Sequence, residues 1–270
     1  MQTSGGYSMF ILNEEEYIRT ILINKQKPNG MTYKLLITLI AKYYFNNCDT
    51  TEQLIQVVKD KLLEFDLPGY QEYKMYPTIR AVCLSLYDQD LDDTYRTLKK
   101  IDFVPIYNYE IAIVNSLETN RLKKLMFTLF AIARYADCNG WINKKDIDGL
   151  SEIFKLSNIV DSSAKKNELL HILYTKGLIA LPKRVDNLNI RVVDFLSGNE
   201  LDNSIIVYKI INFENIGNQY ISVFKRGYKM CKSCGKIIRN TSNSRIYCDK
   251  CAMESTYQNK INYKDRIKNS

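Results

Sequence analysis

Histidine is almost absent from this chain: His171 is the only one among 270 residues. It lies among leucines in a predicted helix, where a partly buried structural histidine is more common than a catalytic one. Neither a G-x-x-x-x-G-K-[ST] phosphate loop nor a G-x-G-x-x-G dinucleotide motif is present. Because no acid–base or nucleotide-binding constellation is visible, we expect a protein that is not an enzyme.

Long apolar runs are missing as well. The two longest, Leu35–Ala41 and Leu125–Ala133, fall well short of the roughly 20 residues that a membrane-spanning helix needs. The chain opens Met1-Gln-Thr-Ser-Gly-Gly, without the charged and apolar regions of a secretory signal. These absences favour a protein of a reducing compartment without a membrane partner, and we expect it in the cytoplasm.

Four cysteines form two C-x-x-C pairs near the carboxyl end, Cys231 with Cys234 and Cys248 with Cys251. Their spacing is close to that of structural zinc sites, in which four thiolates surround one tetrahedral ion. Gly235, directly after the first pair, suits a tight turn whose backbone N–H groups point at sulfur. Since four protein ligands leave no coordination position open, we predict one structural Zn²⁺ that folds a small module.

The alternative for these cysteines is a pair of disulfides in a secreted domain. It agrees poorly with the absence of a secretory signal. It also leaves three further cysteines, in an odd total of seven: Cys48, Cys83 and Cys138.

The formal net charge of +8 is distributed unevenly. Residues 225–270 contain 12 Lys and Arg but only 3 Asp and Glu, whereas the other residues contain 26 and 27. Such asymmetry indicates an anionic partner, most often nucleic acid. A solubilising tail or a protein-docking ribbon is the alternative. The predicted nucleic-acid contacts of this segment are Lys225, Arg226, Lys229, Lys232, Lys236, Arg239, Arg245 and Lys250.

The first 118 residues are predicted to form a helical domain, because apolar residues recur at helical spacing throughout. Thr50 and Thr51 offer a cap before one helix, and Pro68-Gly69 follows its end. The predicted helices are Leu12–Ile23, Thr32–Asn46, Thr51–Phe65 and Pro77–Tyr87.

Residues 119–224 are predicted to form a winged helix-turn-helix with an extra strand and helix. Helix, short strand, helix, turn, helix and two-stranded hairpin follow one another in the order of that fold. The predicted elements are the helices Leu125–Asp137, Asp146–Leu156 and Asp161–Lys176, and the extended segments Trp141–Asn143, Leu178–Leu181 and Leu188–Val193. Beyond them we expect a strand at Ser204–Phe213 and a helix at Ile216–Phe224.

In a winged helix the amino-terminal end of the third helix enters the major groove of DNA. Lys165, Lys166 and Asn167 would face the groove there, and Lys183 and Arg184 on the wing would contact the backbone. Many winged helices bind only proteins, and two lysines on a helix are commonly a solvated face. These five residues are therefore a weaker nucleic-acid hypothesis than the basic segment.

Six short stretches carry a resemblance to a known group of proteins. They are Phe127–Ala131, Trp141–Asn143, Phe154–Asn158, Gly177–Ile179, Val185–Arg191 and Tyr247–Ala252. Together they resemble proteins encoded by phages and prophages of Gram-positive bacteria, over roughly the last 150 residues. The resemblance implies a setting rather than a mechanism: small zinc proteins of phages are commonly regulators, replication accessories or inhibitors of host defence, including anti-CRISPR proteins.

Taken together, the residues predict a mainly α-helical protein with domains at 1–118, 119–224 and 225–270. We expect it to bind nucleic acid, or a protein–nucleic-acid complex, in a bacterial host cell, with no small-molecule substrate. The alternative is a protein-binding, anti-CRISPR-like inhibitor of a host defence machine. In that case the helical domain would supply the interface and zinc would only hold the tail.

Overall fold

A computed structural model describes residues 10–88, 96–143, 147, 149–181, 189–201, 204–242 and 244–256. The chain forms two compact units, Met1–Phe103 and Val104–Ser270. It is mainly α-helical, as predicted, with three small antiparallel sheets among the described residues. No helix within those ranges is both long and apolar enough to cross a membrane.

Four helices build the described part of the first unit. They are α1 (Glu14–Asn24), α2 (Tyr33–Tyr44), α3 (Thr51–Leu63) and α4 (Glu72–Leu86). The side chains of Asn13, Thr32 and Thr50 cap the first three by accepting a backbone N–H. All four predicted helices are confirmed, but α4 begins five residues before Pro77, which lies exposed inside it.

The core of the first unit forms around α2, which contacts the other three helices. Leu36, Ile37 and Ile40 of this helix are fully buried, because its apolar residues recur every three to four positions. Leu54 from α3 and Ile79 from α4 are equally buried. Apolar burial is therefore the main source of stability in this unit.

The second unit alternates helices with short strands. Its elements are β1 (Val104–Tyr107), α5 (Asn108–Ser116), α6 (Asn120–Ala136), β2 (Trp141–Asn143), α7 (Leu150–Leu156), α8 (Ser163–Thr175), β3 (Ile179–Ala180), β4 (Asn189–Val192), β5 (Ile206–Ile210), α9 (Ile216–Phe224), β6 (Tyr228–Met230) and β7 (Ile237–Arg239). A short 3-10 turn occurs at Gly198–Leu201, as one does at Phe45–Asn47 in the first unit, and a further helical stretch covers residues 249–256. The centre is α6, which is buried on most of its surface.

A three-stranded sheet with the order β2–β4–β3 flanks α6. Ile142 pairs with Ile190, and Ile179 pairs with Val192; all four side chains are buried. The hairpin strands predicted at 178–181 and 188–193 are thus present in shorter form, and the connection 182–188 lies outside the described residues. The extended segment at Trp141, predicted as a separate element, is one of the two edge strands of this sheet.

A second sheet pairs β1 with β5, with Val104 opposite Ile210. The sequence predicted the later strand but not the earlier one. This pairing places β1 and α5 in the second unit, so the domain boundary predicted at residue 118 falls between α5 and α6 inside that unit.

A buried ion pair joins several of these elements. Arg134 on α6 donates from Nε to Glu110 Oε1 at 2.8 Å and from a terminal nitrogen to the Leu196 carbonyl at 2.8 Å. Its guanidinium lies over the rings of Tyr107 and Phe195, and Glu110 also accepts the Tyr107 backbone N–H. Because each charged group has several partners, the pair is compatible with burial.

Candidate metal centre and nucleic-acid interface

The first cysteine pair lies in the turn between β6 and β7. These strands pair antiparallel, with Met230 opposite Ile237. Within the turn, Cys231 N donates to Lys236 O at 2.8 Å and Gly235 N donates to Cys231 O at 2.9 Å. Gly235 has φ of +66°, a left-handed conformation that costs glycine little. The local fold therefore directs both thiols of this pair to the same side.

The second pair lies at the start of the helical stretch 249–256. Ala252 N donates to Cys248 O at 2.9 Å, which closes the first helical turn over the pair. Cys248 N donates to the Cys231 sulfur at 3.3 Å, and Lys232 N donates to Ile246 O at 2.9 Å. These two bonds bring the two pairs, distant in sequence, into one cluster.

The four sulfur atoms of Cys231, Cys234, Cys248 and Cys251 all lie within 4.8 Å of one another. The Cys234 and Cys248 sulfurs are 3.8 Å apart. An ion with four sulfur ligands at the usual 2.3 Å has sulfur–sulfur edges of about 3.8 Å, so the cluster fits one tetrahedral metal ion. Cys234 is exposed and the other three cysteines are buried. The four cysteines predicted from their spacing thus lie together in a closed, structural type of site.

The pKa values of two thiols in the cluster are shifted in opposite directions. Burial acts to raise the pKa of Cys231, but the backbone N–H groups of Cys248, Cys234 and Ser233 together lower it to about 6. The hydrogen bond with Cys248 is the main cause that raises the pKa of Cys251 to about 12. Four adjacent thiolates repel one another, so a divalent cation is the simplest way to ionise all of them.

A basic groove of about 360 Å³ runs between β7 and the second cysteine pair. Four cations, one hydroxyl and one carboxylate contribute to its polar lining: Lys236, Arg239, Arg245, Lys250, Thr241 and Asp249. Arg245 pairs with Asp249 at 2.9 Å, and Lys250 lies 3.8 Å from Glu254 on an exposed surface. Lys236 and Arg239 are exposed and have no ion-pair partner within the described ranges. The groove can therefore bind an anion without first breaking a strong internal pair at those two residues.

The other basic residues predicted for this segment have different environments. Lys225 donates to Asn120 Oδ1 at 3.0 Å and lies over the Tyr228 ring, and Lys229 donates to the Ser242 carbonyl at 2.9 Å. Both side chains are half-buried, and their hydrogen bonds connect separate parts of the second unit. Arg226 and Lys232 are exposed.

The predicted groove helix is α8, which packs through its buried residues Leu169, Leu170 and Leu173. Lys165 and Asn167 are exposed near its amino-terminal end, whereas the ammonium group of Lys166 lies 5.5 Å from the centre of the Phe154 ring. His171 is exposed, so the expected partial burial of this side chain is wrong. Lys183 and Arg184 lie outside the described residues.

Sequence analysis missed an amide network beside the metal centre. Asn158 Nδ2 donates to Asn215 Oδ1 at 2.8 Å, and Asn158 Oδ1 accepts the Asn218 backbone N–H at 3.1 Å. Asn218 Nδ2 donates to the Gly235 carbonyl at 3.1 Å, and its Oδ1 accepts from Lys124 at 2.7 Å. Burial lowers the pKa of Lys124. Single asparagines carry no ligand motif, so nothing local in the sequence marks these three as a group.

Comparison with known proteins gives no family assignment: no protein-family model, no curated protein and no solved structure matches this chain.

Proposed function

We propose that the protein binds nucleic acid, alone or as part of a protein–nucleic-acid complex, and that it catalyses no reaction on it. One observation carries the proposal: a groove lined by four cations in the segment 225–256, called the ribbon, which also contains the four-cysteine cluster. The ribbon contains eight basic and two acidic side chains. Several cations on one rigid surface can neutralise several phosphates, which gives strong, salt-sensitive and mostly sequence-independent affinity.

The proposed metal is zinc, one ion per chain. Four thiolates in a tetrahedral arrangement favour zinc or iron among the common metals, and zinc needs no redox partner. The ion would hold the two knuckles together and so keep the basic groove in one shape. Since all four positions are occupied by protein ligands, it has no position for a substrate.

A second contact is proposed at α8, in a winged-helix arrangement. The order α6, β2, α7, α8, β3, β4 and the sheet order β2–β4–β3 support this fold assignment. Lys165 and Asn167 are exposed where that fold contacts the major groove, but Glu168 is exposed beside them. This surface has far less positive charge than the ribbon, so we assign it the smaller share of the affinity.

The test is a salt titration of binding to short double-stranded DNA, single-stranded DNA and RNA, measured by fluorescence anisotropy. The double variant Lys236→Gln/Arg239→Gln removes the two unpaired cations of the groove. If each contacts one phosphate, the slope of log K against log salt on double-stranded DNA falls by about 2. The matched control is Arg19→Gln/Lys34→Gln, which makes the same charge change at two exposed sites of the first unit. The control should leave the slope nearly unchanged.

An intact protein without salt-dependent binding to any of the three nucleic acids would contradict the proposal. The protein-binding inhibitor, with its interface on the helical first unit, would then become the leading hypothesis. If the groove variant and its control lowered the salt slope equally, net charge alone would account for the effect. The phage setting and the cytoplasmic location stay predictions from the sequence.

A further inference from the structure

The turn between α7 and α8 is held by side chains from far along the chain. Ser157 is fully buried, and Asn158 has φ of +53°, a left-handed conformation uncommon for residues other than glycine. Ile159 N donates to Phe154 O at 2.9 Å, which closes the end of α7. The direction in which the chain enters α8 therefore depends on what keeps Asn158 in this conformation.

The start of α9 keeps Asn158 in its left-handed conformation through hydrogen bonds, and α9 is hydrogen-bonded to the turn that carries the first cysteine pair. Both ends of the Asn158 amide are bonded to the start of α9, to the Asn215 side chain and the Asn218 backbone. The Asn218 side chain then donates to the carbonyl of Gly235, the residue that follows the ligand Cys234. Asn218 is only 7% exposed, so this donor has little access to water. A continuous path of hydrogen bonds runs from the first cysteine pair to the α7–α8 turn.

Two glycines allow the close contacts along this path. A Cβ atom on Gly235 would lie 2.2 Å from Asn215 Nδ2, and one on Gly217 would lie 2.0 Å from the Ser157 carbonyl oxygen. Neither position has room for a side chain. The first turn of α9 is therefore packed tightly between the α7–α8 turn on one side and the metal knuckle on the other.

We propose that metal binding at the four cysteines orders the α7–α8 turn, and with it the amino-terminal end of α8, through Asn218 and Asn158. Without a metal the ribbon has little apolar core of its own, so the Gly235 carbonyl would no longer be held in place. Asn218 would then lose a buried acceptor, while α9 itself stays packed through Ile216 and Tyr220. The coupling requires the proposed metal but no nucleic-acid partner. That it regulates nucleic-acid contact by α8 rests on the proposed function.

Amide hydrogen exchange of the full chain, with bound zinc and after chelation, tests this coupling without nucleic acid. We expect the ribbon to lose protection on chelation, and residues 157–165 to exchange about tenfold faster. Helices α1 to α4 should not change. Unchanged protection at 157–165 would overturn the proposal, and so would loss of protection throughout the second unit, because that would be general unfolding.

A variant separates the path from metal binding itself. Asn218→Asp keeps the backbone N–H for Asn158 and an acceptor for Lys124, but removes the donor to Gly235. We expect it to bind metal and to show fast exchange at 157–165 even with metal bound. The matched control is Gln219→Glu, the same amide-to-acid change at a neighbouring buried residue that bonds to Asn212 and the Glu214 carbonyl instead. The control should keep the metal dependence, and an Asn218→Asp variant that also keeps it would contradict the path.

Discussion

The helical first unit and the ribbon are held together by different means. The first unit buries a continuous apolar core drawn from all four helices. In the ribbon, the buried cluster consists of Ile238 and three of the cysteines, with Tyr247 packed partly against it. An apolar cluster of this size is too small to stabilise a fold by itself. We therefore expect a metal ion at the four cysteines to stabilise the ribbon as apolar burial stabilises the first unit.

This difference also accounts for where the charge lies. A helix that contributes to an apolar core must use much of its surface for packing, as α2 does. The ribbon has its central contacts supplied by four sulfur atoms, so most of its other side chains remain exposed and are able to carry charge. Arg226, Lys232, Lys236, Arg239 and Lys250 are all exposed. A metal-held module is thus a suitable scaffold for a dense basic surface.

The largest expected effect comes from removing the metal. Chelation, or the double substitution Cys248→Ser/Cys251→Ser, should unfold the ribbon, since structural zinc contributes roughly 10–16 kcal/mol in small metal-folded modules. The first unit should keep its far-ultraviolet circular dichroism and its cooperative unfolding. The control Cys138→Ser changes a cysteine outside the cluster and should retain full metal content. A ribbon that keeps its amide protection without metal would refute the contrast between the two regions.

A smaller effect is expected from the buried ion pair of the second unit. Arg134→Met would leave the Glu110 carboxylate buried without its main partner and should lower the free energy of unfolding by about 3–5 kcal/mol. Arg134→Met/Glu110→Gln should recover part of the loss. Denaturant unfolding monitored by tryptophan fluorescence measures this, because Trp141 is the only tryptophan and lies in the same unit.

The loss of unfolding free energy in Arg134→Met should also depend on pH. Burial raises the pKa of Glu110 above its ordinary value, and Arg134 opposes the shift. Without Arg134 the protonated carboxyl is favoured further in the folded state. The destabilisation is then complete well above the ordinary carboxyl pKa and decreases as the pH falls toward it. A loss that grows as the pH falls would contradict this assignment.

The third effect belongs to the first unit alone. Leu36→Ala should lower the free energy of unfolding by about 2–5 kcal/mol, because a fully buried side chain is replaced by a cavity. Metal content and ribbon protection should not change. Leu63→Ala is the matched control. Because Leu63 is 62% exposed, its substitution should lower the free energy of unfolding by less than about 0.5 kcal/mol. Similar losses in both variants would mean that α2 does not form the core.

Features encoded within short segments could be predicted from the sequence. The periodicity of α1 to α4 predicted four helices, and the two C-x-x-C pairs predicted the cysteine cluster, since both signals depend on residues close in sequence. The sequence predicts a helix that begins at Pro77. The structure shows that an exposed proline inside α4 is tolerated.

Features that depend on distant partners could not be predicted. Strand β1 is four residues long and is defined by its pairing with β5, which begins nearly a hundred residues later. The amide network depends on the left-handed backbone of Asn158 and on two close approaches to glycine. Neither a four-residue strand nor a single asparagine has a periodic signal that sequence analysis can detect.

The most direct test of the proposed metal centre is native mass spectrometry of the full chain, purified under reducing conditions without added zinc. We expect one zinc ion per chain, together with protection of Cys231, Cys234, Cys248 and Cys251 from alkylation until a chelator is added. A metal-free chain whose four thiols react freely, or one carrying two disulfides, would contradict the metal-held ribbon. Bound iron in place of zinc would keep the ribbon but overturn the identity of its metal.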